Sequence, residues 1–351
     1  MVNQKTKLIG LDLFRISAAL FVFLFHTGHI NCSYGILQKF ISMGAIFMTG
    51  FFMLSGFVLC YVNAFNKNFD IMIFYKKRLI QIMPVYLIIS SLWVCLFSKE
   101  KIIDEIILLP VTILGIESVF TSLFNISHYG GTWFVSCILF CYFLFPLLNK
   151  LISKDNIIYI YILLVFVLIY SSFAVNYFKL HNIYSNPFFR ILEFTLGILL
   201  FRVWINNKDK YPKLYSIPVI VLEVLIFVVV VTWAVKLNFY RGNYMLYNIF
   251  NIPMFTLIIF GLAGFKNYYL EHSKILQYLS SISYVFFLAQ FFVWPSVPIL
   301  LSYVNIDNNI TRIIISFILC IMLSIFFYEV FERPLNKYLI NKYLRNEGNE
   351  N

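Results

Sequence analysis

Charge is what this sequence has least of. Asp, Glu, Lys and Arg make up 12% of its residues, about half the share of an ordinary soluble domain. A chain so poor in charge cannot cover a water-facing surface, and a soluble globular reading is excluded. Long polar segments are scarce as well. The loops are short, no extended linker breaks the apolar pattern, and the last polar stretch is NKYLRNEGNE at residues 341–350. Cysteine is sparse. Six are scattered, and Cys60, Cys95, Cys137 and Cys320 lie inside apolar runs. No spacing suggests zinc or a disulfide framework, and Cys137 and Cys141, on one helix face, read as small apolar filler. No sequence block is repeated, so an inverted-repeat transporter gains no support. The first apolar run is too long for a cleaved signal peptide, and HTGHINCS is a poor cleavage site.

What the chain does have is hydrocarbon. It is 61% hydrophobic and 20% aromatic, with a mean hydropathy of +0.83. Apolar runs near bilayer length recur from end to end. The expected fold class is an all-α polytopic membrane protein with about ten transmembrane helices and both termini cytoplasmic. The runs begin near Leu8, Ile41, Leu79, Thr132, Ile157, Phe188, Ile217, Met245, Ser283 and Thr311. The stretch at 102–120 carries Asp104, Glu105 and Pro110, and reads as an interfacial or re-entrant segment. The net charge of +11 fits cytoplasmic loops better than nucleic acid. With the N-terminus inside, about 18 basic residues fall on the cytoplasmic side against about 8 outside.

The first run raises a chemical question, because FRISAALFVFLFHTG contains Arg15 and His26. They are 11 residues apart, which on a helix is about three turns, nearly the same face, and about 16 Å of rise. A charge within a span must face protein or water. Snorkelling accounts for Arg15 alone, and a satisfied polar contact for His26 alone. Both on one stripe, with Asp12 before and His29 after, read as the wall of a polar tunnel.

These residues resemble a known pattern. LDLFRISAALFVFLFH is similar to the first helix of the membrane acyltransferase-3 family, where a basic residue is followed by ten others and a histidine. GAIFMTGFFMLSGFVL, FYKKRLIQIMPVYL, TWFVSCILFCYFLFPLL, FFRILEFTLGILL, SISYVFFLAQFFVWP and FERPLNKYL resemble its later helices, in order. The resemblance spans nearly the whole chain, as one domain over residues 1–340 followed by a polar tail, 341–351.

The resemblance implies an O-acyltransferase in a bacterial cell membrane. The donor would be cytoplasmic acetyl-CoA. The acceptor would be a hydroxyl of a cell-surface polysaccharide or a lipid-linked oligosaccharide precursor. His26 takes the place of the family's essential histidine, and would act as general base or as acyl-accepting nucleophile. Arg15 takes the basic position, where a guanidinium can grip a donor phosphate or carbonyl. Lys76, Lys77 and Arg78 stand where the family has an arginine motif, suited to the phosphates of coenzyme A, although a positive-inside anchor would look the same. Trp133, Arg190 and Glu193 are the substrate-side candidates; Trp133 also suits an interfacial anchor, and the Arg190–Glu193 spacing also suits a self-neutralising pair. Ser55 and Gly56 read as close-packing residues, and Glu332 as the end of the last helix. No metal and no nucleic-acid partner is expected. The chain departs from the pattern at Gln81, Ile138, Phe287 and Gln290, where relatives commonly carry arginine, glutamate, tyrosine and histidine. Two other classes compete: a flippase or transporter of a lipid-linked sugar, and a non-catalytic scaffold for envelope synthesis.

Overall fold

The computed structural model describes residues 7–27, 38–64, 69–97, 102–119, 131–152, 183–236, 244–303 and 308–344, with single positions between 157 and 167. Among these residues the structure is helical, with no strand. The helices are α1 (Ile9–His26), α2 (Phe47–Asn63), α3 (Ile71–Phe97), α4 (Ile102–Leu114), α5 (Thr132–Leu151) and α6 (Pro187–Asn207). They continue with α7 (Ile217–Lys236), α8 (Tyr244–Gly264), α9 (Lys274–Tyr303), α10 (Asn309–Phe327) and α11 (Arg333–Tyr343). A π-helical turn, Tyr328–Glu332, joins the last two.

Six of these segments are long and apolar enough to cross a membrane: α1, α2 with the turn before it, α3, α5, α9, and α10 continued into α11. Shorter apolar helices run over Ile217–Trp233 and Asn248–Gly264. The 21 residues of α6 are long enough as well, about 32 Å, but Arg190, Glu193 and Arg202 interrupt their apolar character. Nine of the ten expected spans therefore coincide with a helix, six of which meet the length and apolarity a crossing needs. The expected span from Ile157 falls largely outside the described residues. At 13 residues, α4 is too short to cross a core about 30 Å thick, and its Ile103, Ile106 and Ile107 face outward.

Contacts along the helices fix their directions. Phe14 lies beside Gly50, and Phe21 and Phe25 beside Gly44, so α2 runs antiparallel to α1. Arg15 meets Ser280 and Phe23 meets Trp294, so α9 runs parallel to α1. Cys320 reaches the Phe286 carbonyl and Tyr328 packs on Tyr278, so α10 runs back. The bundle thus has an Arg15 end and a His26 end.

The closest approach joins α2 to α6. A Cβ on Gly56 would land on the Phe194 carbonyl oxygen, and one on Gly197 on that of Met53. Without a hydrophobic force between helices in lipid, small residues that let backbones touch are how membrane helices associate. Capping is local: the Asn186 side chain accepts from the Phe188 N–H at 2.9 Å with Pro187 in the first turn, and Asn308 accepts from the Ile310 N–H at 2.8 Å.

Candidate functional site

A cavity of about 300 Å³ lies among α1, α2, α3, α5, α9 and the π turn. Its polarity is graded. At the Arg15 end it is lined by Arg15, Ser55, Gln81, Tyr142, Ser280 and Glu332. Towards the His26 end the lining becomes Met48, Phe51, Phe134, Ile138 and Phe287. Helical rise produces the gradient. From Ser280 to Phe287 α9 climbs seven residues, about 10 Å, and α2 and α5 descend over similar intervals from Met48 to Ser55 and from Phe134 to Tyr142.

Among the described residues, Arg15 and Glu332 are the only charged ones lining the cavity. Arg15 Nη1 donates to Ser280 Oγ at 3.1 Å and stands 3.5 Å from Asp12 Oδ1. Ser280 Oγ in turn donates to Asp12 Oδ1 at 2.6 Å. The Arg15 side chain keeps 32% exposure. It is held by one edge and free to bond along the other, since a guanidinium carries five N–H donors. Glu332 reaches the cavity through the π turn, a local widening often found at functional sites. Its Oε2 is buried with no hydrogen-bond partner among the described residues.

Of the basic cluster on α3, Arg78 comes nearest the cavity. It donates to Gln81 Oε1 at 3.0 Å and lies over the rings of Phe74 and Tyr142. Gln81, one of the departures from the family pattern, thus lines the cavity and orients Arg78. Lys76 is half-buried and Lys77 exposed.

His26 faces α9, as Arg15 does, but does not line the cavity. The expected single polar stripe is interrupted by rings. His26 packs on Phe291 at 5.5 Å and Trp294 at 5.8 Å between centroids. Phe291 packs on Phe287 at 5.9 Å, and Phe287 on Phe134 at 4.9 Å. Phe134 and Phe287 both line the cavity at its apolar end. Trp294 Nε1, and Gln290 Oε1 one turn earlier on α9, are buried without a partner among the described residues. His29 lies outside the described residues.

Arg190 and Glu193 form a separate knot. Arg190 Nη1 bonds both carboxylate oxygens of Glu193, at 2.9 and 2.7 Å, and Arg190 Nε donates to the Tyr184 carbonyl at 2.7 Å. Thr49 Oγ1 and Asn248 Nδ2 donate to Glu193 Oε1 at 3.0 and 3.1 Å. The guanidinium sits over Tyr184, Phe52 and Trp133, at 4.4, 5.4 and 5.4 Å. Arg190 and Glu193 are 4% and 1% exposed. The pair is neutral as a unit, and it ties α2, α5, α6 and α8 together. Trp133 is itself buried, one face against Tyr184.

Sequence reasoning named Arg15, Arg78, Trp133, Arg190, Glu193 and Glu332 but not the partners that fix them. Ser280, Tyr142, Thr49 and Asn248 are single polar residues in apolar runs. That polarity is a visible signal, but only tertiary packing says which of them share a site. Among the described residues no cluster of His, Cys, Asp or Glu has the makings of a metal site.

No curated protein and no solved structure matches this chain. The acyltransferase-3 family model, described as an acyltransferase domain, matches residues 8–329. That range takes in every helix framing the cavity and stops three residues short of Glu332. The chain belongs to the acyltransferase-3 family, and it is a membrane acyltransferase.

Proposed function

We propose that this protein is an O-acyltransferase of the cell membrane that moves an acetyl group from cytoplasmic acetyl-CoA to a hydroxyl of an envelope glycan or its lipid-linked precursor. The observation that carries this reading is the graded cavity, polar at Arg15 and apolar below His26, within a chain of the acyltransferase family. A thioester donor has that same grading: charged phosphates, a polar amide-bearing arm, and a small acyl group at the tip.

In this reading the Arg15 end faces the cytoplasm, as the positive-inside bias suggests. Lys76, Lys77 and Arg78 receive the phosphates of coenzyme A. Arg15 bonds the polar arm with the N–H groups that Asp12 and Ser280 leave open, and Glu332 Oε2 takes an N–H of that arm. The acceptor enters from the His26 end. His26 as general base removes the proton of the sugar hydroxyl while its oxygen attacks the thioester carbonyl carbon. The carbon–sulfur bond breaks, and the thiolate leaves and recovers a proton as the thiol. The alternative sequence puts the acetyl first on an imidazole nitrogen, and then on the sugar oxygen. Trp294 Nε1 is a donor on hand for an oxygen arriving beside the imidazole. Arg190 and Glu193 serve the acceptor side by holding Trp133 and Tyr184 in place.

The test is transfer of labelled acetyl from acetyl-CoA to envelope glycan by membranes holding wild type or His26→Ala at equal abundance. The expected result is labelling by wild type and a loss of about 10²-fold or more in the variant. Equal labelling by both would remove His26 from the chemistry. A wild type that never consumes acetyl-CoA would promote the transport reading instead.

A further inference from the structure

The cavity and His26 are on opposite sides of a thin aromatic wall. Phe134 on α5 and Phe287 on α9 meet with centroids 4.9 Å apart, and both face the cavity. Behind Phe287 stands Phe291, at 5.9 Å, and beyond Phe291 stands His26, at 5.5 Å. The wall is braced from α2. Phe52 packs on Phe134 at 5.5 Å, and Phe51 lies 6.3 Å from it. Phe52 is wholly buried, and it also supports the Arg190 guanidinium. Phe134 and Phe287 are therefore anchored, and Phe291, which stands between them and His26, is the ring that must turn aside for the imidazole to reach a thioester seated below.

A donor seated with its polar arm at Arg15 has its acyl tip against these two rings. Ser283 and Tyr284 are the last polar residues of α9 to line the cavity, and the rise from Tyr284 to Phe287, about 4.5 Å, leaves a short apolar compartment at that end. A tip carrying one or two carbons fits beneath the wall, and each added methylene must displace a ring. We infer that Phe134 and Phe287 are specificity-determining residues: the wall they form sets the length of acyl group this enzyme transfers and restricts it to short chains. The inference rests on the acetyl-CoA reading above and deepens it, by naming the residues that hold the enzyme to a short acyl group.

Hydrophobic compartments discriminate one methylene by about 10- to 200-fold. Truncating a wall residue opens the space of one phenyl group and removes that discrimination over several carbons. The experiment measures kcat/KM for acetyl-CoA, butyryl-CoA and hexanoyl-CoA with the full chain in membranes, for wild type, Phe287→Ala and Phe134→Ala. Phe287→Leu and Phe134→Leu are run beside them as milder truncations that keep the core filled should the alanine variants fail to fold. The expected result is a strong wild-type preference for acetyl. The butyryl-to-acetyl ratio should rise at least about tenfold in the alanine variants, or in the leucine variants by a smaller but measurable factor. An unchanged ratio in every folded variant overturns the proposal, as does a wild type that already accepts hexanoyl as well as acetyl. Both outcomes leave acyl-CoA transfer standing. A wild type with no transfer from any of the three donors takes down the acyl-CoA reading and this inference with it.

Discussion

Two arginines of this protein show what burial does to a charge. Arg190 is buried: its Nη1 bonds two carboxylate oxygens, its Nε a backbone carbonyl, three rings lie against the guanidinium, and 4% of it is exposed. Arg15 is fixed at one edge only, by Asp12 and Ser280, and keeps 32% exposure inside a cavity. The first arrangement is shut away from a ligand by burial and by the rings over it. The second has donors in reserve, and the residues around it are hydroxyls that can follow a ligand. Both arginines sit three residues from an acid, Arg15 after Asp12 and Arg190 before Glu193. What separates them is the environment of the pair, and that is where structural and functional roles part.

The sharpest way to break this contrast is to remove Glu193. Glu193→Ala leaves the Arg190 guanidinium buried without its counter-charge, and Thr49 and Asn248 lose their bonds to the carboxylate. The expected cost is about 3–5 kcal/mol, read as a large fall in the thermal unfolding midpoint of detergent-purified protein or as failure to accumulate. A stable Glu193→Ala would mean the knot is dispensable, and Arg190 would return as a candidate for binding acceptor.

Arg15→Ala should behave in the opposite way. Its ion pair with Asp12 is partly solvated and worth no more than about 1 kcal/mol, so the unfolding midpoint should barely move. Transfer should fall by about 10- to 100-fold, the worth of a hydrogen bond from a charged group. Arg15→Lys should recover part of it, because an ammonium keeps the charge and loses the fork. If Arg15→Ala destabilises the protein as much as Glu193→Ala, the two sites are alike and the functional assignment of Arg15 loses its ground.

The scaffold between the two sites can be probed separately. Gly56→Ala puts a methyl group on the Phe194 carbonyl, one residue from Glu193 and at the closest approach of α2 and α6. Backbone cannot yield as a side chain does, and a cost of about 1–3 kcal/mol is expected. Ser55, the residue before Gly56, lines the cavity, so a shift of α2 should lower transfer as well as the unfolding midpoint. Loss of stability with full activity would show that the cavity does not depend on this helix contact.

Much of this was legible in the residues. Hydropathy alone separates the membrane class, and the Arg15 and His26 spacing marks α1 as a helix with two chemical positions on one side. The neutral Arg190–Glu193 pair was one of two readings open from its spacing. The interruption between Arg15 and His26 was not legible, because it is made by rings from α5 and α9. In a chain that is 20% aromatic, no phenylalanine announces itself as a wall. The same holds for Ser280, which is 265 residues from Arg15 in sequence and in contact with it in space. The π turn that brings Glu332 to the cavity was also beyond sequence, since FERP reads equally well as a plain helix end.

The smallest effect tests the finest part of the contrast, the claim that Arg15 is held by one edge. Ser280 bridges the pair: it accepts from Arg15 at 3.1 Å and donates to Asp12 at 2.6 Å. Ser280→Ala removes both bonds and leaves the 3.5 Å Arg15–Asp12 approach as the only restraint. Hydrogen bonds to charged groups are worth about 1.5–3 kcal/mol each, but this pair is partly solvated and the cavity offers neighbouring hydroxyls, so stability should change by only about 1 kcal/mol. Positioning is the more sensitive readout. An arginine released from one edge samples more rotamers, and binding must then order it again, at a cost of about 0.5–1.5 kcal/mol. Ser280→Ala should therefore raise the KM for donor by about two- to tenfold with kcat nearly intact. Arg15→Ala combined with Ser280→Ala should be no worse than Arg15→Ala alone. Additive losses in the double variant would mean that Ser280 acts on the donor directly, and that Arg15 owes its placement to Asp12.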